Sequence, residues 1–497
     1  MTNSISEGVN TPSQSKSIIV YLLTSSLILL LMMVLGVVLL LAQGEVINVI
    51  PSFFYEILTV HGTGMIGISA LGASSIMWYF LSKYVPLSKG IFITNYLFFL
   101  IGISLVLIGV FVYDFAGAWT FLYPLPAISG GAWGVEGAAF YLIGMLLIGT
   151  GFLLLFLDTA RGIIKKYGSL GGGLGWSYLF GKEKGYGPPS TVVASTMVSI
   201  INITAIIAGA TVLVMSLINL FVPSIKFDPL LAKNFTYSFG HIFANSVIYM
   251  GVIAVYEILS NYTGRPWKAN KPFLIAWNLS TLFTIIIYPH HLLMDFAMPK
   301  WLLIMGQALS YANGLPVLVV TGYGALMIVY RSGIKWDMAS SFIFLSMFGW
   351  VLGVVPAIVD ATIVINQIMH NTKWVPGHFH MYMGLGATAM LFGFMYYLVK
   401  INGKEKVGAI DQISFWIYIM FFLGLSGSFL YSGKVSAPRR WATHFPEWIP
   451  YDRIGAVFGI FVVIAVSTFV IRFWKYSKSI GTNTKYEEKI GPSRLIL

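Results

Sequence analysis

The sequence predicts an all-α protein, a polytopic membrane bundle of twelve transmembrane helices. Three observations carry that reading. Of 497 residues, 57% are hydrophobic and only 10% charged, where soluble domains carry about 25% charged residues. Twelve apolar runs reach the roughly 20 residues that cross a bilayer. Lys and Arg avoid the run interiors and alternate in abundance from one connecting loop to the next.

Taken in order, residues 1–16 are polar and Ser/Asn-rich and read as a mobile tail. The apolar run that follows is too long for the core of a signal peptide. The runs lie near 17–42, 53–82, 91–113, 137–160, 191–221, 235–259, 272–296, 301–330, 337–366, 375–399, 411–433 and 452–474. They form one transmembrane core, 17–474, followed by a C-terminal tail, 475–497. The Gly/Tyr-rich stretch 167–190 reads as a loop, and no internal repeat is visible. Loops after the even-numbered runs hold 15 of the 30 Lys and Arg; loops after the odd-numbered runs hold 8. The positive-inside rule then places both termini in the cytoplasm. Four of the eight outer cations crowd into one loop, Lys434 to Arg453. The net charge of +12 is a topology signal, not a nucleic-acid footprint. With no cysteine, disulfides, thiolate-held clusters and a cysteine-ligated copper centre are excluded.

This topology puts six of the eight histidines at one depth. His61 lies about 12 Å into run 2 at 1.5 Å per residue, and His241 about six residues into run 6. His290 and His291 sit near the outer end of run 7. His378 and His380 occupy the first turns of run 10, within Trp374-Val375-Pro376-Gly377-His378-Phe379-His380. His370 lies just beyond the membrane, and His444 in the outer loop. Ionisable groups inside a bilayer are costly and usually functional, and imidazole suits copper and haem iron. Successive helical residues turn by about 100°, so His378 and His380 face nearly opposite flanks and can serve two centres. His290 and His291 with His241 can make a three-nitrogen copper site, and His61 can complete a haem across from His380. Gly62, Gly64 and Gly377 leave room for a porphyrin. The paired guanidinium groups of Arg439 and Arg440 suit carboxylates such as haem propionates.

In order and at matching depth, the HGTGM of run 2, the FGH of run 6, the PHH of run 7, the WVPGHFH of run 10 and the PRRW of the outer loop resemble subunit I of the haem-copper oxidase superfamily. The WVPGHFH and the preceding His370-Asn371-Thr372 are most similar to its B-type branch. The resemblance implies two haems and one copper ion, Cu(B). His61 and His380 would be axial ligands of a low-spin haem, and His378 the ligand of a high-spin haem. His241, His290 and His291 would bind copper. Arg439 and Arg440 would hold propionates, with His370 nearby. It implies reduction of O2 to water with proton uptake and pumping, in a prokaryotic plasma membrane. The partners would be subunit II and other oxidase subunits, with electrons from a cytochrome, a cupredoxin or a quinol.

One departure matters. The A and B branches carry a cross-linked tyrosine four residues after the first copper histidine; here that position is Asn245. Tyr249 and Tyr288 are the candidate substitutes. The C-type branch places its tyrosine on run 7, where this chain has Thr284 and Ile285. Related nitric oxide reductases lack the tyrosine, so NO reduction is the alternative within the class; a solute transporter and a haem electron carrier are the alternatives outside it. Run 6 has no acid at mid-membrane, since Glu257 is at its cytoplasmic end. The hydroxyls of Tyr256, Ser280, Thr281, Thr284, Thr321 and Tyr323 allow two readings, a proton path or ordinary helix–helix hydrogen bonding. Asp295 and Asp360 lie near the outer surface.

Overall fold

The computed structural model describes residues 12–402 and 407–478. Among them, twelve helices are long and apolar enough to cross a membrane, the seventh by continuing through a turn to Leu292: α1 Pro12–Gln43, α2 Pro51–Leu81, α3 Lys89–Phe111, α4 Val135–Tyr167, α5 Ser190–Phe221, α6 Pro229–Thr263, α7 Lys271–Ile286, α8 Lys300–Val329, α9 Met338–Asp360, α10 Trp374–Ile401, α11 Ala409–Lys434 and α12 Ile449–Ser477. No strand occurs among the described residues. α1 begins at Pro12, inside the stretch expected to be a tail, and α12 runs on to Ser477 past the expected boundary at 474. The remainder of both tails lies outside the described residues.

Local chemistry sets the helix ends. Asp228 caps α6 by accepting from the Leu231 amide at 2.8 Å, with Pro229 at the first helical position. Asn270 does the same for α7 through Phe273, again followed closely by proline. Asp337 and Ser340 form a reciprocal box at the start of α9. Each arrangement satisfies amides that the first turn leaves unpaired.

The helices that carry His61, His241, His378 and His380 form the interior. Within the spanning window, 78% of α2, 83% of α6 and 94% of α10 are buried, against 22% of α8. α2 packs on α6, α6 on α5 and α10, and α10 on α9 and α11, with α12 closing the ring against α1 and α11. The α9–α10 contact is backbone to backbone. A Cβ on Gly349 would lie 2.3 Å from the Leu385 carbonyl carbon, so only glycine permits it.

Three departures from the expected runs fall where the histidines are. α7 stops at Ile286, and Tyr288–Leu292 form a separate 3-10 turn, because Pro289 cannot supply the amide that would continue the helix. α9 ends at Asp360, and 363–369 is a separate short helix. α10 widens into a π-helical stretch, Met381–Thr388, directly after His380, a distortion frequent at functional sites.

Candidate metal centre

Two clusters of imidazoles emerge from this packing. In the first, α6 supplies His241 and the 3-10 turn supplies His290 and His291. One ring nitrogen from each lies within 4.8 Å of the other two, an arrangement that can hold a metal ion. His241 Nδ1 stands 3.0 Å from His291 Nε2. Two nitrogens each about 2.0 Å from one metal are about 2.8–3.3 Å apart between square and tetrahedral geometry, so the pair fits as neighbouring ligands. His290 Nδ1 is hydrogen-bonded to Ser310 Oγ at 2.6 Å, which leaves its Nε2 for a metal. Gly306 lets α8 approach this turn, since a Cβ there would meet the His290 amide nitrogen at 2.8 Å.

In the second cluster, His61 of α2 faces His380 of α10. Their ring centres are 6.4 Å apart and their planes differ by 14°. A metal bonded to both, at about 2.0 Å per nitrogen with roughly 1.1 Å more to each ring centre, requires about 6.2 Å. His61 Nδ1 is bonded to the Met32 carbonyl and His380 Nδ1 to the Pro376 carbonyl, each at 2.7 Å. Both Nε2 atoms are thereby left to coordinate, with ring orientation fixed from behind. The rings open into a cavity of about 150 Å³ between the helices, lined on its apolar side by Met33, Leu40, Leu425 and Phe429.

His378 points elsewhere, and its Nδ1 is buried with no hydrogen-bond partner. The Nε of Arg439 is likewise buried and unpartnered, and Arg439 lines the His61–His380 cavity. Burial, with Arg440 nearby, lowers the Arg439 guanidinium to about 10. A buried donor without an acceptor fits an anionic group such as a haem carboxylate. Arg440 differs: it is exposed and donates to Thr120 Oγ1 at 2.9 Å, so the expected pair acts as one inward arginine and one surface arginine. The loop is clamped to the head of α10 by a β-bridge between Thr372 and Pro438, with Arg439 N donating to Asn371 O at 3.0 Å. His370 sits beside this clamp, half-buried; burial, then Arg439 and Arg440, lower it to about 4.

Several expected residues lie elsewhere. Gly62 lies against Trp119 of the loop after α3, Gly64 against Met32 of α1 and Gly377 against Leu430 of α11. The glycine that the imidazole pair requires is Gly36 of α1, whose Cβ would lie 2.8 Å from His61 Cε1. Tyr288 donates to Asn234 at 3.1 Å. Tyr249 reaches Thr284, and no hydrogen bond joins it to the three histidines among the described residues. Tyr323 is 64% exposed on the outside of the bundle and leaves the hydroxyl path. Asp295 is ion-paired with Lys233; burial opposes its charge, but the Lys233 bond and charge hold it below the usual carboxylate range.

Two tyrosines passed over in the sequence reach the cluster: Tyr237, whose ring stacks on His291 with centres 5.7 Å apart, and, by hydrogen bonds, Tyr382. Its hydroxyl donates to Asn245 Oδ1 at 2.9 Å, and Asn245 Nδ2 lies 3.1 Å from His241 Nε2. The signal was present: Tyr382 follows His378 by four residues, as Asn245 follows His241, and such pairs share a helix face. Also missed was a buried ionic cluster at the loop end, in which Asp452 binds Lys373 and, at 2.5 Å, His444 Nδ1.

Fold and site define the class: a multi-span membrane protein with buried imidazoles arranged for metals. Residues 16–461 match the family described as Cytochrome C and Quinol oxidase polypeptide I, and the chain belongs to that family. It is an oxidoreductase family of haem- and copper-containing respiratory electron transport. Among relatives, cytochrome c oxidase subunit 1 of Thermus thermophilus is 24% identical, over 49% of this chain and 47% of that protein. The heme-copper oxidase subunit I+III of Aeropyrum pernix is 23% identical, over 47% of this chain and 29% of that protein. Cytochrome c oxidase subunit 1 of Cereibacter sphaeroides is 23% identical, over 48% and 42%. The matches thus span less than half the length of these relatives. A solved heme-copper terminal oxidase dimer shares the fold, with a TM-score of 0.77 at 18% identity, over 94% of this chain and 84% of that one.

Proposed function

We propose that this chain is the catalytic subunit of a respiratory terminal oxidase of the B-type branch, reducing O2 in a prokaryotic plasma membrane. The carrying observation is the opposed His61–His380 pair, with both Nδ1 atoms bonded behind and a cavity between helices in front. His61 and His380 would hold a low-spin haem, His378 a high-spin haem, and His241, His290 and His291 a copper ion. When bound, a haem on His61 and His380 would supply electron transfer, and a haem on His378 with copper on His241, His290 and His291 would supply the chemistry that reduces a diatomic gas. The protein's part is to orient, insulate and deliver protons. Carbonyls and Ser310 fix the imidazole rotamers, Arg439 anchors carboxylates, and apolar side chains around the cavity exclude water.

Protons would move along buried hydroxyls. Tyr256 and Thr321 are 2.7 Å apart, with Trp277 donating to Tyr256 at 3.2 Å. Nearer the three histidines, Tyr249 reaches Thr284, which donates to Asn313 at 3.4 Å. The Oγ of Ser280 is buried without a partner, the state of a group that needs a water beside it. Thr281 instead bonds its own helix, at Trp277 O. Subunit II, other oxidase subunits and a cytochrome, cupredoxin or quinol donor complete the reading, with both termini cytoplasmic.

Asn245 favours a second reading, nitric oxide reduction, because an amide supplies no oxidisable phenol at that position. Turnover of the purified protein with O2 and with NO separates the two. Fast O2 consumption without NO consumption supports the oxidase; the reverse supports the reductase. A protein lacking haem absorption would end both.

A further inference from the structure

We propose that Tyr382 is a positioning residue for the three-histidine site, acting through Asn245 to hold His241 with Nδ1 turned toward the metal. This rests on reading His241, His290 and His291 as copper ligands. His241 and Asn245 are one turn apart on α6, and His378 and Tyr382 one turn apart on α10. The hydrogen bond from Tyr382 to Asn245, at 2.9 Å, joins the two helices just beneath the metal site. Asn245 is gripped on three sides: by Tyr382, by the His241 carbonyl at 2.9 Å, and by the His241 ring at 3.1 Å.

The face of the ring follows from this grip. Nδ1 stands 3.0 Å from His291 Nε2, and the Asn245 amide nitrogen lies against the ring, 3.1 Å from Nε2 and 3.4 Å from Nδ1. By donating to Oδ1, the Tyr382 hydroxyl keeps Nδ2 turned to the His241 carbonyl and ring. Tyr382 is itself fixed, because α9 presses on its backbone: a Cβ on Gly353 would lie 2.6 Å from the Tyr382 Cα. An amide–phenol pair from two helices thus supports His241 from the side on which the relatives named by the resemblance carry one cross-linked tyrosine.

The test is copper retention. The purified, fully loaded protein is challenged with increasing concentrations of a copper(I)-selective chelator, and the copper-to-haem ratio is measured. Outer-shell partners of metal ligands typically contribute 10–100-fold in affinity, so Tyr382→Phe should release copper at about 10–100-fold less chelator. Its low-spin haem spectrum should stay unchanged. Asn245→Leu should show a similar loss, and the double variant no further loss, because both break one link. The infrared stretch of carbon monoxide on the reduced copper should shift in each variant. Tyr382→Phe keeps the ring, and Asn245→Leu reads the link from its other end. Wild-type copper retention in both, or additive losses in the double variant, overturns the inference. A wild-type protein without copper overturns the reading of the triad beneath it.

Discussion

His61 and His380 face each other with ring centres 6.4 Å apart, and each commits its Nδ1 to a backbone carbonyl 2.7 Å away. The carbonyls come from different helices: Met32 is on α1, while Pro376 is one turn before His380 on α10. The spacing across the gap is therefore set by how closely α1 and α10 approach α2. Gly36, one turn after Met32, leaves room for the His61 ring beside α1.

Gly36→Ala should disturb this gap specifically. The added carbon would lie 2.8 Å from His61 Cε1, and overpacking of this kind costs about 1–3 kcal/mol. The expected result is reduced low-spin haem content in a chain that still inserts, with copper content near wild type. His380→Ala should abolish the low-spin signal altogether. Optical and paramagnetic resonance spectra of both variants check this, and an unaltered low-spin signal in His380→Ala would refute the pairing.

The two loop arginines should separate. Arg439 lines the cavity with a buried, unpartnered Nε, while Arg440 is exposed on Thr120. Hydrogen bonds to charged groups contribute about 1.5–3 kcal/mol, so Arg439→Gln should weaken haem retention roughly tenfold or more. Arg440→Gln should change it by no more than about fivefold, as expected for an exposed charge. Haem retained after detergent washing gives the comparison; equal losses would restore the two-arginine anchor.

The twelve spans were legible because hydropathy and length decide membrane helices almost alone. The meeting of His241, His290 and His291 was legible because imidazoles are rare in a bilayer and these share one depth. The division between Arg439 and Arg440 was not, because adjacent loop residues have no periodicity to say which turns inward. Gly36 escaped notice because its importance lies in what faces it, a ring 25 positions away in sequence. Tyr382 was readable from its spacing to His378, but its partner Asn245 lies on another helix, and pairing across helices is not encoded in either segment.

His370 should make stability pH-dependent in a defined window. Burial, helped by Arg439 and Arg440, lowers it to about 4, against about 6.5 in an unfolded chain. Between those values the unfolded chain binds a proton that the folded one does not, so stability falls as pH drops from about 6.5 and the loss levels off below about 4. Above about 6.5 the residue contributes no pH dependence. His370→Gln should flatten this segment of the profile, measured as thermal unfolding in detergent from pH 4 to 7.5. An unchanged slope would mean that the ring titrates normally.

The buried cluster around Asp452 should be the costliest single break outside the metal site. Lys373 is 2% exposed and Asp452 1%. Lys373 also donates to Gln43 at 2.8 Å, and Asp452 takes His444 on its second oxygen. Burial lowers the Lys373 ammonium from its usual range, while Asp452 works to keep it charged. Asp452→Asn preserves shape but strands that ammonium, and breaking a buried pair in this way costs about 3–5 kcal/mol. Because Lys373 precedes Trp374 and also donates its amide to Ala437 O at 2.8 Å, the strain falls on the clamp that positions Arg439. Unfolding temperature and haem retention should therefore fall together in Asp452→Asn. Adding Lys373→Met removes the stranded charge and should recover most of both. A loss of about 1 kcal/mol or less, the range of exposed pairs, would show that water reaches the cluster and that the charges are not sequestered.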